Sequence, residues 1–208
     1  MINLPYINPL LNLSEKTAIV GSSGSLLNSE YGSIINQHDD VIRFNRAPVA
    51  HYKKYVGANT TIRVANNHVF INQPLGPAFT NQPPNFIKDL RNSRILFIGP
   101  HMIKLEDKEK FTHASNELFM FDYRNIGGLR KRSGFAGPNN PSVGFVSICL
   151  CIVAGIKPSL FGFDIDESDQ TRSHYWEARS GAGPCHKVSY EKEFLKLLIE
   201  KEKVDYYK

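Results

Sequence analysis

The residues of this chain whose types and spacing could do chemistry fall in three places. Thr17-Ala-Ile-Val-Gly-Ser-Ser-Gly-Ser-Leu-Leu27 is an apolar run leading into a turn of small residues, where backbone amides and hydroxyls can come close to a phosphate or a ribose. Alone it fits an ordinary tight turn equally well. It has neither the G-x-G-x-x-G spacing of a dinucleotide loop nor the G-x-x-x-x-G-K-[ST] of a P-loop. Further on, His174-Tyr175-Trp176-Glu177 and a second histidine, His186, with Glu191 five positions after it, supply imidazoles. These could act as a general base or as a donor to a developing oxyanion. A lone histidine is more often a surface or capping residue, so context must decide. The acidic run Asp164, Asp166, Glu167 and Asp169 lacks the Gly and Glu positions of an EF-hand. It reads as a solvated loop after a strand.

The elements that must position these groups follow from pattern. Short β-type runs at Thr17 to Gly21, Asp40 to Asn45, Thr61 to Ala65, Arg94 to Gly99, Leu118 to Asp122 and Leu160 to Asp164 alternate with helical or loop stretches. Such alternation predicts a mainly parallel sheet with crossover helices. Ala18-Ile19-Val20 and Ile95-Leu96-Phe97-Ile98 are continuously apolar, as strands covered on both faces should be. The expectation is a single Rossmann-like three-layer α/β/α domain over residues 1–208. Helices are predicted at Ser142 to Ala154, after Pro141 and before Gly155, and at Ser189 to Lys203 with Ser189 as N-cap. Asn72 to Pro84 and Arg124 to Pro141, rich in Gly, Pro and Asn, read as long binding or lid loops.

Composition narrows the function classes. A hydrophobic fraction of 41% with 22% charged residues fits a folded globular chain. The run Val143 to Ile156 is shorter than the roughly 20 residues that span a bilayer, and Met1 to Leu13 carries no secretory pattern, so the expected location is the cytoplasm. Net charge is +5, but only Arg130, Lys131 and Arg132 cluster, so nucleic acid is not the expected partner. Anionic small substrates or a membrane surface fit the charge as well. Lysines around the apolar face of the last helix suit a peripheral membrane contact, although packing on the core explains that face more simply. Cys149 and Cys151 are too close in one helix to pair, and Cys185 makes an odd count, so no disulfide framework is expected.

The stretch after the first turn decides the reading. Tyr31-Gly32, His38-Asp39-Asp40-Val41-Ile42-Arg43-Phe44-Asn45-Arg46-Ala47-Pro48 and Val56-Gly57-Ala58-Asn59-Thr60-Thr61 resemble the large sialylmotif of the animal-type sialyltransferases, glycosyltransferase family 29. Pro141-Ser142-Val143-Gly144-Phe145 with Leu160-Phe161-Gly162-Phe163-Asp164 resembles their small motif. His174 to Glu177 resembles the third motif, and His186 with Glu191 the very small one. All four stand in the family's order over roughly residues 17–191. The resemblance implies a GT-A-like variant fold, a CMP-sialic acid donor, a glycan acceptor such as a terminal galactoside, and no metal or other cofactor. It implies donor contacts from Ser22, Ser23, Ser25 and Asn45, with Ser142, Val143 and Gly144 at the sugar or phosphate. The family usually has Asn where Ser22 and Ser25 stand.

In the implied reaction the leaving CMP departs from a tertiary carbon beside a carboxylate. His186 would serve as general base on the acceptor hydroxyl, and His174, joined by Tyr175, would assist the departing phosphate. One-base displacement gives inversion. Glu191 reads as a structural carboxylate in the first turn of a helix. Thr17 and Gly155 fall where the animal enzymes carry a disulfide, which suggests a bacterial or viral, cytoplasmic relative. Transfer of another CMP-activated acidic sugar (Kdo, pseudaminic or legionaminic acid) and a non-catalytic CMP-sugar or glycan-binding module are the alternatives.

Overall fold

The computed structural model describes residues 12–66, 93–99, 118–122, 125–135, 141–165, 174–177 and 188–208. Strands β1 (Thr17–Val20), β2 (Asp40–Phe44), β3 (Ile62–Asn66), β4 (Arg94–Gly99), β5 (Leu118–Asp122), β6 (Ser159–Phe161) and β7 (Asp205–Tyr207) form one sheet. Its order is β5-β4-β3-β2-β1-β6-β7, and every described pairing is parallel. The chain thus builds outward from β1 to β5, then returns to add β6 and β7 on the other side of β1. The direction of growth reverses between β1 and β6, which makes the carboxyl ends of those two strands the crevice where open α/β sheets take ligands.

Alternating strand residues feed two cores. Ile19, Ile42, Phe44, Ile62, Val64, Leu96, Ile98 and Leu160 face one side. There they meet α3 (Ile126–Ser133), α4 (Val143–Val153) and α5 (Val188–Glu200) through residues such as Leu129, Val146, Ile148 and Leu195. Ala18, Val20, Val41 and Phe161 face the other side. A short 3-10 turn (Gly24–Asn28), α1 (Gly32–Ile35) and α2 (Lys53–Val56) cover it with Leu26, Ile35 and Val56. This is the expected three-layer α/β/α arrangement, and β1, β2 and β6 are buried on both faces.

Four expectations change. Within the segment read as a loop from Arg124 to Pro141, Ile126 and Leu129 bury one side of α3. Arg130, Lys131 and Arg132 therefore sit in the last turn of a helix, beside its favourable carbonyl end, rather than in a loop. The last helix starts at Val188, so Ser189 lies inside it rather than capping it. The strand before Asp164 ends at Phe161, because Gly162 turns the chain with a φ of 69°. Asp205–Tyr207 adds an edge strand where no strand was expected; Tyr207 stacks on Phe161 at 4.4 Å between ring centroids. The loop expected at Asn72 to Pro84 lies outside the described residues. No described helix is long and apolar enough to cross a membrane.

The amino ends of the strands are tied by one carboxylate. Asp40 accepts from Ser14 N at 2.8 Å, from the Thr61 hydroxyl at 2.8 Å and from Arg94 Nη2 at 2.7 Å, linking β2, β3 and β4 beneath the sheet.

Cys149 and Cys151 lie in α4 as buried free thiols. Burial pushes both up to about 12 from the ordinary 9.0, so at neutral pH neither supplies the thiolate that reacts. A Cys185→Ser chain should therefore give no fast reaction with a disulfide reagent when folded, and two thiols per chain in denaturant. Because the folded pKa values are raised, the linked stability is complete below about pH 9 and drains away as pH climbs toward 12. Urea midpoints taken at pH 8 and pH 10.5 should fall in that direction. Fast native labelling would show that α4 is not packed as described.

Candidate active site

At the carboxyl end of the sheet the exits of β1 and β6 are drawn together by backbone bonds. Gly21 N donates to Phe161 O at 2.7 Å and Ser23 N to Gly162 O at 3.3 Å. The approach is so close that a Cβ on Gly21 would sit 2.3 Å from the Gly162 carbonyl oxygen. Glycine is required there for space rather than for its dihedral freedom.

From that pinch the turn reaches across to β6. Ser23 caps the 3-10 turn, its hydroxyl accepting from Ser25 N at 3.0 Å. The same hydroxyl donates to Asp164 Oδ2 at 2.5 Å, and Ser25 Oγ donates to Asp164 Oδ1 at 2.7 Å. Asp164, read from sequence as the start of a solvated acidic loop, is instead a half-buried carboxylate with both oxygens engaged by the turn. Asp166, Glu167 and Asp169 lie outside the described residues.

Asn45 closes β2 in the left-handed region, with φ 45°, a conformation Asn tolerates better than most side chains. Its amide donates to Val64 O at 2.7 Å, and its Oδ1 accepts from Asn66 N at 3.2 Å. Asn45 is thereby braced against the end of β3. Phe44, the residue before it, meets Phe163 edge to face, with centroids 6.3 Å apart. Gly144 fits beneath these rings; a Cβ there would come within 3.3 Å of Phe163. The amino end of α4 is thus brought to the crevice.

Ser142 is the N-cap of α4, accepting from Phe145 N at 3.2 Å. Its own amide and hydroxyl donate to the two carboxylate oxygens of Glu191, at 2.6 and 2.7 Å. Glu191 is structural, as expected, but through a different partner: from the first turn of α5 it anchors the start of α4. Val143 and Gly144 follow as the first helical residues, whose amides have no partner within the helix.

The remaining wall is the 174–177 turn. Tyr175 N donates to Ser22 O at 2.9 Å, locking this turn to the first one. The Tyr175 ring is buried against Tyr52 and Trp176, and its hydroxyl donates to Pro48 O at 2.5 Å. Its phenol faces the core. His174 remains partly exposed; its Nδ1 is 2.7 Å from Glu177 Oε2 and its ring stacks on Trp176 at 4.6 Å. Such a carboxylate fixes the tautomer and leaves Nε2 as the outward nitrogen. His186 lies outside the described residues.

Two arginines were missed by sequence reasoning. Arg43 and Arg63 are register partners on β2 and β3 and are almost wholly buried. Arg43 holds Asn59 O through Nε at 3.1 Å and Nη2 at 3.0 Å, the Thr60 hydroxyl at 3.0 Å, and Val56 O. Arg63 Nη1 holds Ala47 O at 3.0 Å. Together they fix the chain on either side of α2, next to Asn45 and Pro48. A signal existed in Arg43, a charge inside an apolar strand run.

The model of glycosyltransferase family 29 (sialyltransferase) matches residues 12–203. The chain is similar to the CMP-N-acetylneuraminate-beta-galactosamide-alpha-2,3-sialyltransferase 1 of Mus musculus, with 28% identity over 88% of this chain and 55% of that protein. It is also similar to the beta-galactoside alpha-2,6-sialyltransferase 1 of Homo sapiens, with 25% identity over 92% of this chain and 52% of that one. The chain thus spans about half the length of these curated relatives. A crystal structure of a mammalian sialyltransferase in complex with Gal-beta-1-3GalNAc-ortho-nitrophenol shares the fold, with a TM-score of 0.67 at 21% identity, covering 100% of this chain and 80% of that one.

Two substitutions probe the geometry. Gly21→Ala must push β1 and β6 apart, since the clash is with backbone, and should cost about 2 kcal/mol or more in urea unfolding. An unchanged midpoint would contradict the close approach. Glu191→Ala should cost about 2 kcal/mol by stranding the Ser142 amide, and a double-mutant cycle with Ser142→Ala should show coupling of about 1 kcal/mol. Additive effects would mean that Glu191 does not anchor α4.

Proposed function

Since the chain belongs to glycosyltransferase family 29, the sialyltransferases, we propose that it moves sialic acid from CMP-sialic acid to a hydroxyl of a glycan acceptor. Inversion at the anomeric carbon and independence of metal ions are part of this reading. The observation that carries it is the continuity of the crevice. The Gly21–Ser25 turn is bonded to Asp164 and to Tyr175, Phe163 leads from Asp164 to the start of α4, and His174 stands beside Tyr175 in the same turn. The family match spans all of these residues.

In this reading the turn holds the nucleotide and the first amides of α4 favour an anionic group of the donor. His174, held through Nδ1 by Glu177, acts as an imidazolium whose Nε2 donates to the departing phosphate, offsetting the charge that develops as the glycosidic bond breaks. His186 takes the proton of the attacking hydroxyl. Both curated relatives act on beta-galactosides or beta-galactosamides by name, and a terminal galactoside is the acceptor class proposed here.

The test is release of CMP from CMP-N-acetylneuraminic acid in the presence of galactosides, with and without EDTA, alongside CMP-Kdo and CMP-pseudaminic acid. Galactoside-dependent release from the first donor, unchanged by EDTA, is expected. Release from another donor alone would reassign the sugar, and silence with all of them would remove the transferase reading. His186→Ala should lower turnover by roughly 10²-fold or more while leaving CMP binding in place. Activity that survives within about tenfold of the parent would assign the base elsewhere.

A further inference from the structure

We propose that the outward face of α3, beside the start of α4, is a subsite for an anionic group on the acceptor glycan. The group is a sulfate or carboxylate carried by a sugar next to the galactoside that is modified. This deepens the sialic acid transfer reading by naming its acceptor class, and rests on it.

α3 is built against its own stability on that face. Ile126 and Leu129 turn to the core and are buried, while Gly127, Lys131 and Arg132 are exposed and Gly128 is half-buried. Both glycines lie in ordinary helical backbone, and a Cβ at Gly127 would meet nothing within 4 Å. The fold thus requires glycine at Gly127 neither for conformation nor for space, and glycine is the poorest helix former after proline. The same two positions lie one turn before Lys131 and Arg132, where an acid would pair with each cation. Glycine leaves both uncompensated, and neither enters an ion pair among the described residues. The carbonyl end of the helix accounts for one cation in its last turn. Arg130 meets that need, with its guanidinium carbon 6.0 Å from the centre of the Phe135 ring.

The face adjoins the crevice. Gly134 ends α3 in left-handed backbone with φ 81° and turns the chain to Phe135, whose ring centroid lies 4.6 Å from that of Phe145. Phe145 is in the first turn of α4, next to Gly144, which packs against Phe163 and Phe44. A guanidinium and an ammonium side by side suit a sulfate or carboxylate, the arginine as a two-pronged donor and the lysine as a point charge. Two free cations match one anionic group on a glycan, whereas an anionic lipid surface calls for roughly four or more. The outer face of α5 adds no such excess, since exposed Lys196 and Lys201 alternate there with exposed Glu193 and Glu200.

The test compares a β-galactoside disaccharide with the same disaccharide sulfated on its reducing-end sugar. Both are given to the parent chain, to Lys131→Ala/Arg132→Ala, to Gly127→Glu and to Gly127→Gln. The parent should show a KM about fivefold lower for the sulfated acceptor, a preference that fades in high salt, with kcat alike for the two. The double variant should lose the preference and keep both constants for the neutral acceptor. Gly127→Glu and Gly127→Gln should each raise the urea midpoint, because a good helix former replaces glycine in open space. Only the glutamate, which pairs with Lys131 one turn on, should abolish the preference.

Equal KM values for the two acceptors in the parent, or a preference that survives Lys131→Ala/Arg132→Ala, overturns the proposal. Sedimentation with phosphatidylserine vesicles that depends on these two residues, without any acceptor preference, also overturns it and gives the face to a lipid surface. If neither acceptor is turned over, the transferase reading fails on its own account. NMR titration of the sulfated disaccharide then decides the subsite: binding weakened in the double variant keeps it, and equal binding removes it.

Discussion

The crevice depends on a backbone contact that admits no side chain. Gly21 and Gly162 leave neighbouring strands and meet so closely that neither has room for a Cβ. Gly21 faces the Gly162 carbonyl, and Gly162 faces Leu26, whose Cδ1 would lie 2.5 Å from a Cβ there. Parallel strands that sit side by side at a reversal of chain direction normally diverge into separate loops. Here two backbone bonds hold the loops together. Ser23 and Ser25 therefore come within hydrogen-bonding distance of Asp164, and the shared floor gives the 174–177 turn a carbonyl, Ser22 O, on which to dock.

Burying polar groups this close to a crevice is costly unless every one finds a partner. Backbone carbonyls carry much of that load. Arg43 spreads its charge over the carbonyls at the end of α2 and the loop after it, where the helix dipole favours a cation. Arg63 does the same for Ala47. Carboxylates are placed at the complementary positions. Glu191 lies at the amino end of α4, where the amide and hydroxyl of Ser142 donate to it, and Asp40 gathers three donors under the sheet. The rigid elements thereby become a frame in which Asn45 can hold a left-handed backbone.

What the sequence made legible was whatever repeats or runs. The continuous apolar strands announced a parallel sheet with crossover helices, and the apolar run between Pro141 and Gly155 announced α4, as found, although the capping role of Ser142 was not foreseen. The four-residue helices α1 and α2 were invisible because one turn has no periodicity to detect. The α3 helix hid behind Gly127, Gly128 and Asn125, whose composition argues for a loop; burial of Ile126 and Leu129 overrides that preference. Asp164 was misread because a carboxylate followed by three more acids looks solvated, and only the sheet order places it beside serines 139 and 141 positions away. Long-range pairing of this kind leaves no local trace.

The third and fourth motifs become intelligible as parts of one support rather than as isolated imidazoles. Tyr175 is the buried peg of the 174–177 turn, fastened to Pro48 at one end and to Ser22 at the other. Because that peg is fixed, His174 one residue earlier has its ring held between Trp176 and Glu177 and little freedom to lose when a ligand arrives, which is how a first contact is made ready in advance. The helix that follows His186 is anchored in the same manner, by Glu191 on the cap of α4. The His174 motif is therefore read best by what its neighbours bind: Tyr175 reaches the core and Glu177 meets the imidazole.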